Sequence, residues 1–401
     1  MRKRSNSTRI AAYRFTNQCP QDRCPARITS KRDPHLVRSQ QALFSPDSQT
    51  ISNGVEPETI PIKHQDKSEK DSRDQGTFEQ EADVKENLEF HKGADEMPEL
   101  KDDQLLQDDE QISLDFSIPP EVMEYARRVL GETDEVKCQT LQELRDMIYE
   151  RGECLPHRMD DDFLIRFLRA RNFNLKKAHR LIVNYYNFKE EHPEIHQQLN
   201  PTEMRYIGDD NVIIVPPYRI QCGRRLLIYR IGNWKPSKYP VEELFKATTC
   251  VLELGILEPR AQILGGIVIF DLKDITMAHA WSVTPQVATM MLSLMVTAFP
   301  IKIHELHIIH QSWIFDTIFT VFKPLLDTNM RNRIFFHGGD YKSLHKHVSP
   351  EYLPKIYGGV RNELPYYKWI EALIRDPKIV DQMSKMGYVV TNEILESFGQ
   401  K

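Results

Sequence analysis

Within "FPIKIHELHIIHQSWIF", residues 299 to 315, His304, Glu305, His307 and His310 fall inside seven positions. Imidazole and carboxylate are the donors that hold zinc, so the spacing invites a metal reading. "HELH" is not the HExxH helix of metalloproteases, because its histidines lie three apart rather than four. The run is β-branched and follows a proline, which reads as a strand. Side chains alternate along a strand, so His304 and His310 face one way and His307 the other. At ~3.3 Å per residue the first two stand about 20 Å apart. Zinc ligands converge within ~2.1 Å of one ion, so this segment cannot supply all three. The expectation is therefore no metal, and structural or rim histidines.

Other chemistry is equally unsupported by motif. The chain has no GxSxG, GxxxxGK[ST] or GxGxxG, and no cysteine in a recognisable nucleophile setting. "DDDF", residues 160 to 163, lacks a hydrophobic strand leading into it and reads as a helix N-terminus, where acidic side chains meet the positive end of the dipole. No catalytic residue, no cofactor and no enzyme activity is expected.

The elements around these residues fall into three stretches. Residues 1 to 115 are rich in Ser, Asp, Glu, Lys, Gln and Pro without apolar periodicity. They offer too little apolar surface to offset the entropy of ordering, and read as a disordered leader. Its Arg-rich opening, free of acids until Asp22, suits a basic tip or a mitochondrial presequence. Residues 116 to 198 read as a helical domain. Pro119 and Pro120 open one helix and Gly131 closes it; "TLQELRDMIYERG" puts Leu141, Leu144 and Ile148 on one face. Phe163, Leu164, Phe167 and Leu168 form the next stripe, and Asn174 caps a helix facing the core with Ala178, Leu181, Ile182, Tyr185 and Tyr186.

From 199 to 362 the pattern changes. "NVIIVPP", "RRLLIYRI", "GGIVIFDL", "IHELHIIH" and "RNRIFFHGG" read as strands, with helices at 241 to 257, 284 to 298 and 312 to 326 between the later ones. That alternation implies an α/β fold with a mixed, mostly parallel sheet; the short "YRIQCG" link makes the first pair antiparallel. Residues 363 to 401 read as C-terminal helices.

Bulk properties narrow the partners. A net charge of −5 argues against a general nucleic-acid binder. Six cysteines without a CxxC pair suit free thiols in a reducing compartment. No apolar run approaches the ~20 residues that span a bilayer, and no apolar core near the start suggests a secretory signal. Yet "VTPQVATMMLSLMVTAF" and "SWIFDTIFTVFKPLLDTN" are apolar nearly all round. Such helices are buried or membrane-facing, and clustered methionines adapt to irregular apolar guests.

"FLIRFLRARNFNLKKAHRLIVNYYNFKEEHPEI", "LLIYRIGNWKPSKY", "IFDLKDITMAHAWSVTP", "FPIKIHELHIIHQSWIFDTIFTVFKPLL" and "RIFFHGGDYKSLHKHVSPEYLPKIYGG" together resemble the CRAL-TRIO lipid-binding family, in its tocopherol-transfer and retinaldehyde-binding branch. The likeness spans roughly residues 120 to 365. It implies a small helical domain packed on an α/β sheet that encloses a lipid cavity, with 312 to 326 as the lid. The cavity wall it implies comprises Phe245, Thr248, Leu252, Phe270, Val283, Met291, Leu294 and Met295. A phosphoinositide-reading patch would match Arg171, Lys302 and Arg333, with Arg331 close by; Asn329 and His304 depart from that pattern. The implied function is transfer of a hydrophobic, isoprenoid-like lipid by a cytoplasmic protein that docks on endosomal or other phosphoinositide-bearing membranes. A phosphoinositide-sensing trafficking adaptor is the alternative.

Overall fold

The computed structural model describes residues 112–197 and 199–391. The leader lies outside the described residues up to 111. Its last residues are packed: Leu114 is buried, and the Asp115 amide donates to Glu258 Oε1 at 3.0 Å.

The helical part begins with α1, Pro120–Tyr125, continued by a π turn over Ala126–Leu130. Gly131, at φ 73°, ends it in the left-handed region that glycine tolerates. Helix α2, Asp134–Arg151, starts earlier than the apolar stripe suggested, because Thr133 caps it by accepting from the Val136 amide. In α3, Asp161–Ala170, Asp160 is the N-cap and accepts from the Phe163 amide at 3.1 Å. The acidic run thus serves a helix end. Asp160→Ala should cost about 1–2 kcal/mol, since the cap and the bidentate Arg158 contacts vanish together; thermal unfolding reads it, and an unchanged midpoint would refute the capping role. Asn174 caps α4, Leu175–Glu191, whose Ala178, Leu181, Ile182, Tyr185 and Tyr186 are all buried.

After α5, Arg205–Asp209, the chain builds the sheet. Its strands are β1 Ile213–Ile214, β2 Arg225–Arg230, β3 Gly266–Asp271, β4 Ile303–Ile309 and β5 Ile334–Gly338, ordered β1-β2-β3-β4-β5. The first pair is antiparallel and the rest are parallel, as the link lengths required. Helices α6, Val241–Gly255, and α7, Pro259–Leu264, connect β2 to β3. Helices α8, Met277–Ser282, and α9, Pro285–Leu292, prolonged by a π turn over Ser293–Ala298, connect β3 to β4. Helix α10, Trp313–Phe322, with a 3-10 turn at Lys323–Leu325, and α11, Thr328–Arg331, lead to β5. Each crossover adds a strand on the same side of the last, and crossovers of one hand then put their helices on one face.

Strand alternation divides the core accordingly. Leu227, Tyr229, Val268, Leu306 and Ile308 face the helices and join the main cluster. Leu226, Ile228, Ile267, Ile269 and Ile309 face the other way and meet Leu344, Val348, Tyr352, Leu353 and Tyr357 from the segment after β5. That segment opens with α12, Tyr341–Leu344. Helices α13, Tyr366–Leu373, and α14, Pro377–Lys385, follow, and their Trp369, Ile370 and Met383 enter the main cluster.

Three buried ion pairs, two of them sharing Glu258, tie the layers. Arg169 of α3 grips Glu132 with Nε and Nη2 and reaches Gln262 of α7 through Nη1 at 2.7 Å. Glu258, wholly buried, accepts from Arg219 Nη2 at 2.8 Å and from Arg225 Nη2 at 2.6 Å.

Candidate functional site

The helix-facing side of the sheet and the helices over it form an apolar layer. On its floor Tyr229 stacks on Phe270, ring centroids 4.9 Å apart and nearly parallel. The Tyr229 hydroxyl and Thr248 Oγ1 share a hydrogen bond at 2.9 Å. Both groups are buried, so this pair is a polar point inside apolar surroundings, and burial pushes the Tyr229 hydroxyl pKa up. Phe245 and Leu252 of α6 and Leu294 and Met295 of the π turn are buried in the same cluster; Phe270 and Met291 pack on it half-buried. Val283 follows α8 and is half-buried, and is not part of that cluster. A void of about 60 Å³ lies between Leu227, Val251, Leu252, Val268, Met295 and Trp369. Ligand pockets of ~300–1,000 Å³ are usual. This void is well below that range.

Helix α10 is poorly covered for its apolar content. It carries Trp313, Ile314, Phe315, Ile318, Phe319, Val321 and Phe322, yet only Phe315 is buried. Trp313 is 67% exposed, and Trp281 at the end of α8, which packs against α10, is 73% exposed. Phe319 meets the exposed Phe336 of β5 edge-on at 5.6 Å. A helix this apolar gains little from so few buried contacts. Pro324 stops it, as its ring demands, and the chain tightens into the 3-10 turn.

The four cations of the expected headgroup patch gather at the N-terminal ends of β4 and β5. Arg171 donates to the Val296 carbonyl at 2.9 Å and Lys302 Nζ to Asn172 Oδ1. Arg333 Nη1 donates to the Ile303 carbonyl at 2.9 Å. Arg331 donates to the Lys323 and Leu326 carbonyls, just beyond α10. Among the described residues Arg171, Arg331 and Arg333 make no ion pair. Their guanidinium groups keep further donors for an anion.

The histidines behave differently from the single-strand reading. Alternation holds through His307, but β4 ends at Ile309 after a register shift, and His310 takes φ 55°. His310 then bonds Asp271 Oδ1 at 2.7 Å and the Tyr341 hydroxyl at 3.0 Å, next to the layer that His307 faces. That puts His310 on the side of His307 rather than on the opposite side that strand alternation predicted. His307 instead meets residues from far along the chain: its Nδ1 lies 3.0 Å from His337 Nε2 and its Nε2 lies 3.1 Å from Glu305 Oε2. His347 Nδ1 reaches the same Glu305 oxygen at 3.2 Å, and His337 Nδ1 reaches Ser343 Oγ at 2.9 Å. Burial raises the Glu305 pKa, but both imidazoles outweigh it and hold the carboxyl well below its usual range. Burial, with the two neighbouring imidazoles, pushes His337 down to about 4, and burial also lowers His307. No spacing rule joins residues 30 to 42 positions apart, so no sequence pattern pointed to this cluster.

Comparison with known proteins resolves the family. The CRAL/TRIO domain matches residues 210–359, and a "Pinta-like, UBA domain" matches residues 133–205. Alpha-tocopherol transfer protein-like from Mus musculus is 33% identical over 258 residues, 64% of this chain and 75% of its own length. This chain belongs to the CRAL-TRIO family. Clavesin-2 from Homo sapiens is 30% identical over 263 residues, 65% of this chain and 80% of its own. The solved structure of Sfh5 aligns with a TM-score of 0.35 at 13% identity, over 61% of this chain and all of its own. As a CRAL-TRIO protein the chain falls among lipid-binding and lipid-transfer proteins. No helix among the described residues is long and apolar enough to cross a membrane.

Proposed function

We propose that this CRAL-TRIO protein carries a hydrophobic, isoprenoid-like lipid, tocopherol- or retinoid-like, between membranes. It does so as a cytoplasmic protein docking on endosomal or other phosphoinositide-bearing surfaces. The observation that carries the reading is α10: an apolar helix with one buried residue, set over an apolar layer and flanked by two exposed tryptophans. Its outward face suits the membrane interface, where Trp is favoured, and its inner face covers the guest. Phe245, Thr248, Leu252, Phe270, Val283, Met291, Leu294 and Met295 would line the opened cavity, with the Tyr229–Thr248 pair as the polar anchor for a hydroxyl or carbonyl.

A guest of ~30 heavy atoms at ~0.3 kcal/mol each binds by about 9 kcal/mol, which is sub-micromolar. Release therefore needs help at the membrane. Arg331 bonds the carbonyls just beyond α10 and Arg333 follows two residues later, so an anionic headgroup bound by Arg331 and its fellow cations would act on the lid's anchoring. Each cation near an anionic surface contributes about 1 kcal/mol, so Lys302→Ala with Arg333→Ala should weaken phosphoinositide-vesicle binding roughly 30-fold. Transfer of a fluorescent lipid to such vesicles should slow while lipid binding in solution persists. Unchanged transfer would sink the headgroup step. Vesicle binding with no transfer at all in the wild type would favour the trafficking adaptor.

A further inference from the structure

The far face of the sheet holds a second constellation that the lipid function leaves unused. We propose that Glu305, His307 and His347 form a binding site for a divalent cation of the zinc class, with His337 and Ser343 as its outer ring. One donor atom from each of the three lies within 4.8 Å of the others. Glu305 Oε2 stands 3.1 Å from His307 Nε2 and 3.2 Å from His347 Nδ1. Two ligands on a tetrahedral zinc with ~2.0–2.1 Å bonds sit about 3.3 Å apart, so small rotations seat an ion between these atoms.

The chemistry of the donors agrees with the geometry. Two neutral imidazoles and one carboxylate are a recognised zinc set that leaves a fourth position for water. A metal-bound imidazole needs a partner for its other nitrogen, which fixes tautomer and ring orientation. Here that partner exists: His307 Nδ1 lies 3.0 Å from His337 Nε2, and His337 Nδ1 lies 2.9 Å from Ser343 Oγ. With the ion on Nε2, His307 donates from Nδ1 to His337, which donates from its own Nδ1 to the serine. Every nitrogen in the chain is then satisfied. Phe335 closes one side, stacked on His307 at 5.4 Å and touching the His347 ring at 4.4 Å. His307 is fully buried, while Glu305 and His347 keep about a fifth of their side chains exposed, which gives an ion a route in.

The expectation of no metal considered ligands from one strand only. The structure draws them from β4 and from the turn after α12, so an ion would pin that turn to the sheet. Because the site faces away from the apolar layer, its failure and that of the lipid proposal are separable.

The test is titration of Zn²⁺ into the full chain after chelator dialysis, followed by calorimetry. One equivalent should bind at micromolar affinity or better, with a raised unfolding temperature. Glu305→Gln with His347→Asn should weaken that equivalent by at least about 100-fold, and His337→Phe, in the outer ring, by about 10–100-fold. Should the double variant misfold, Co²⁺ in the wild type decides: the site requires a four-coordinate visible spectrum without a thiolate charge-transfer band. Wild-type protein that takes no zinc, zinc that survives both substitutions unchanged, or a thiolate-bound cobalt overturns the site and leaves the cluster a hydrogen-bonded strut.

Discussion

Replacing Glu258 with alanine should lower the unfolding free energy by about 3–5 kcal/mol. The carboxylate is fully buried and accepts from Arg219, Arg225 and the Asp115 amide. Its removal leaves two mostly buried guanidinium groups facing one another, with the partly exposed Asp115 carboxylate, 3.9 Å from Arg219, as a weak remaining counter-charge, and that repulsion rather than the lost contacts sets the size of the effect. The same site gives a pH dependence. Burial alone would raise the Glu258 pKa, but Arg225, Arg219 and the Asp115 amide bring it below its ordinary 4.5. A depressed carboxyl stabilises the fold above the unfolded value and loses that contribution as pH falls from 4.5 through the folded value. Urea unfolding at pH 7 and at a series of pH values descending below 4.5 measures both. A loss under about 1 kcal/mol at pH 7, or a wild-type and alanine difference that does not shrink on acidification below that window, refutes the account.

The second large effect concerns the membrane rather than the fold. Trp281→Ser with Trp313→Ser should reduce partition onto neutral vesicles about 10- to 100-fold. Full burial of a large apolar side chain contributes about 1.5–3 kcal/mol, so two rings sunk roughly halfway together give about 1.5–3 kcal/mol. Both rings are mostly exposed, so the folded state should change by no more than about 0.5 kcal/mol. Vesicle co-sedimentation alongside thermal unfolding separates the two. Equal partition of variant and wild type would mean that α10 does not meet the bilayer. The basic rim predicts the complementary pattern, a loss confined to anionic vesicles and weakened by salt.

The strands were legible because each is a short β-branched run bounded by Gly, Pro or Asn, and all five appear where the alternation put them. "NVIIVPP" yields only Ile213–Ile214, since Pro216 and Pro217 have no amide to extend the ladder. Helices α7 and α8 escaped notice because six residues carry too few turns to display a period. The apolar surplus of α10 was visible in its composition, but its exposure was not, because exposure depends on what else covers the sheet. Tyr229 could have been found: alternation in "RRLLIYRI" sets it on the face of Leu227. His337 and His347 could not, since tertiary structure alone brings β5 and the turn after α12 beside Glu305 and His307.

The void of about 60 Å³ bears on how affinity for a guest is set. Holding open an empty apolar chamber of ~400 Å³ would cost about 10 kcal/mol at ~24 cal/mol per Å³. That equals the whole stability of an ordinary domain. In this layer Met291, Leu294, Met295 and their neighbours pack against one another. Under the proposed lipid-carrying function, loading would be an exchange, in which a lipid replaces these side chains as filler. Selectivity among guests is governed by how well each one out-packs methionine and leucine, so substitutions that stabilise the closed, guest-free packing should weaken every ligand together.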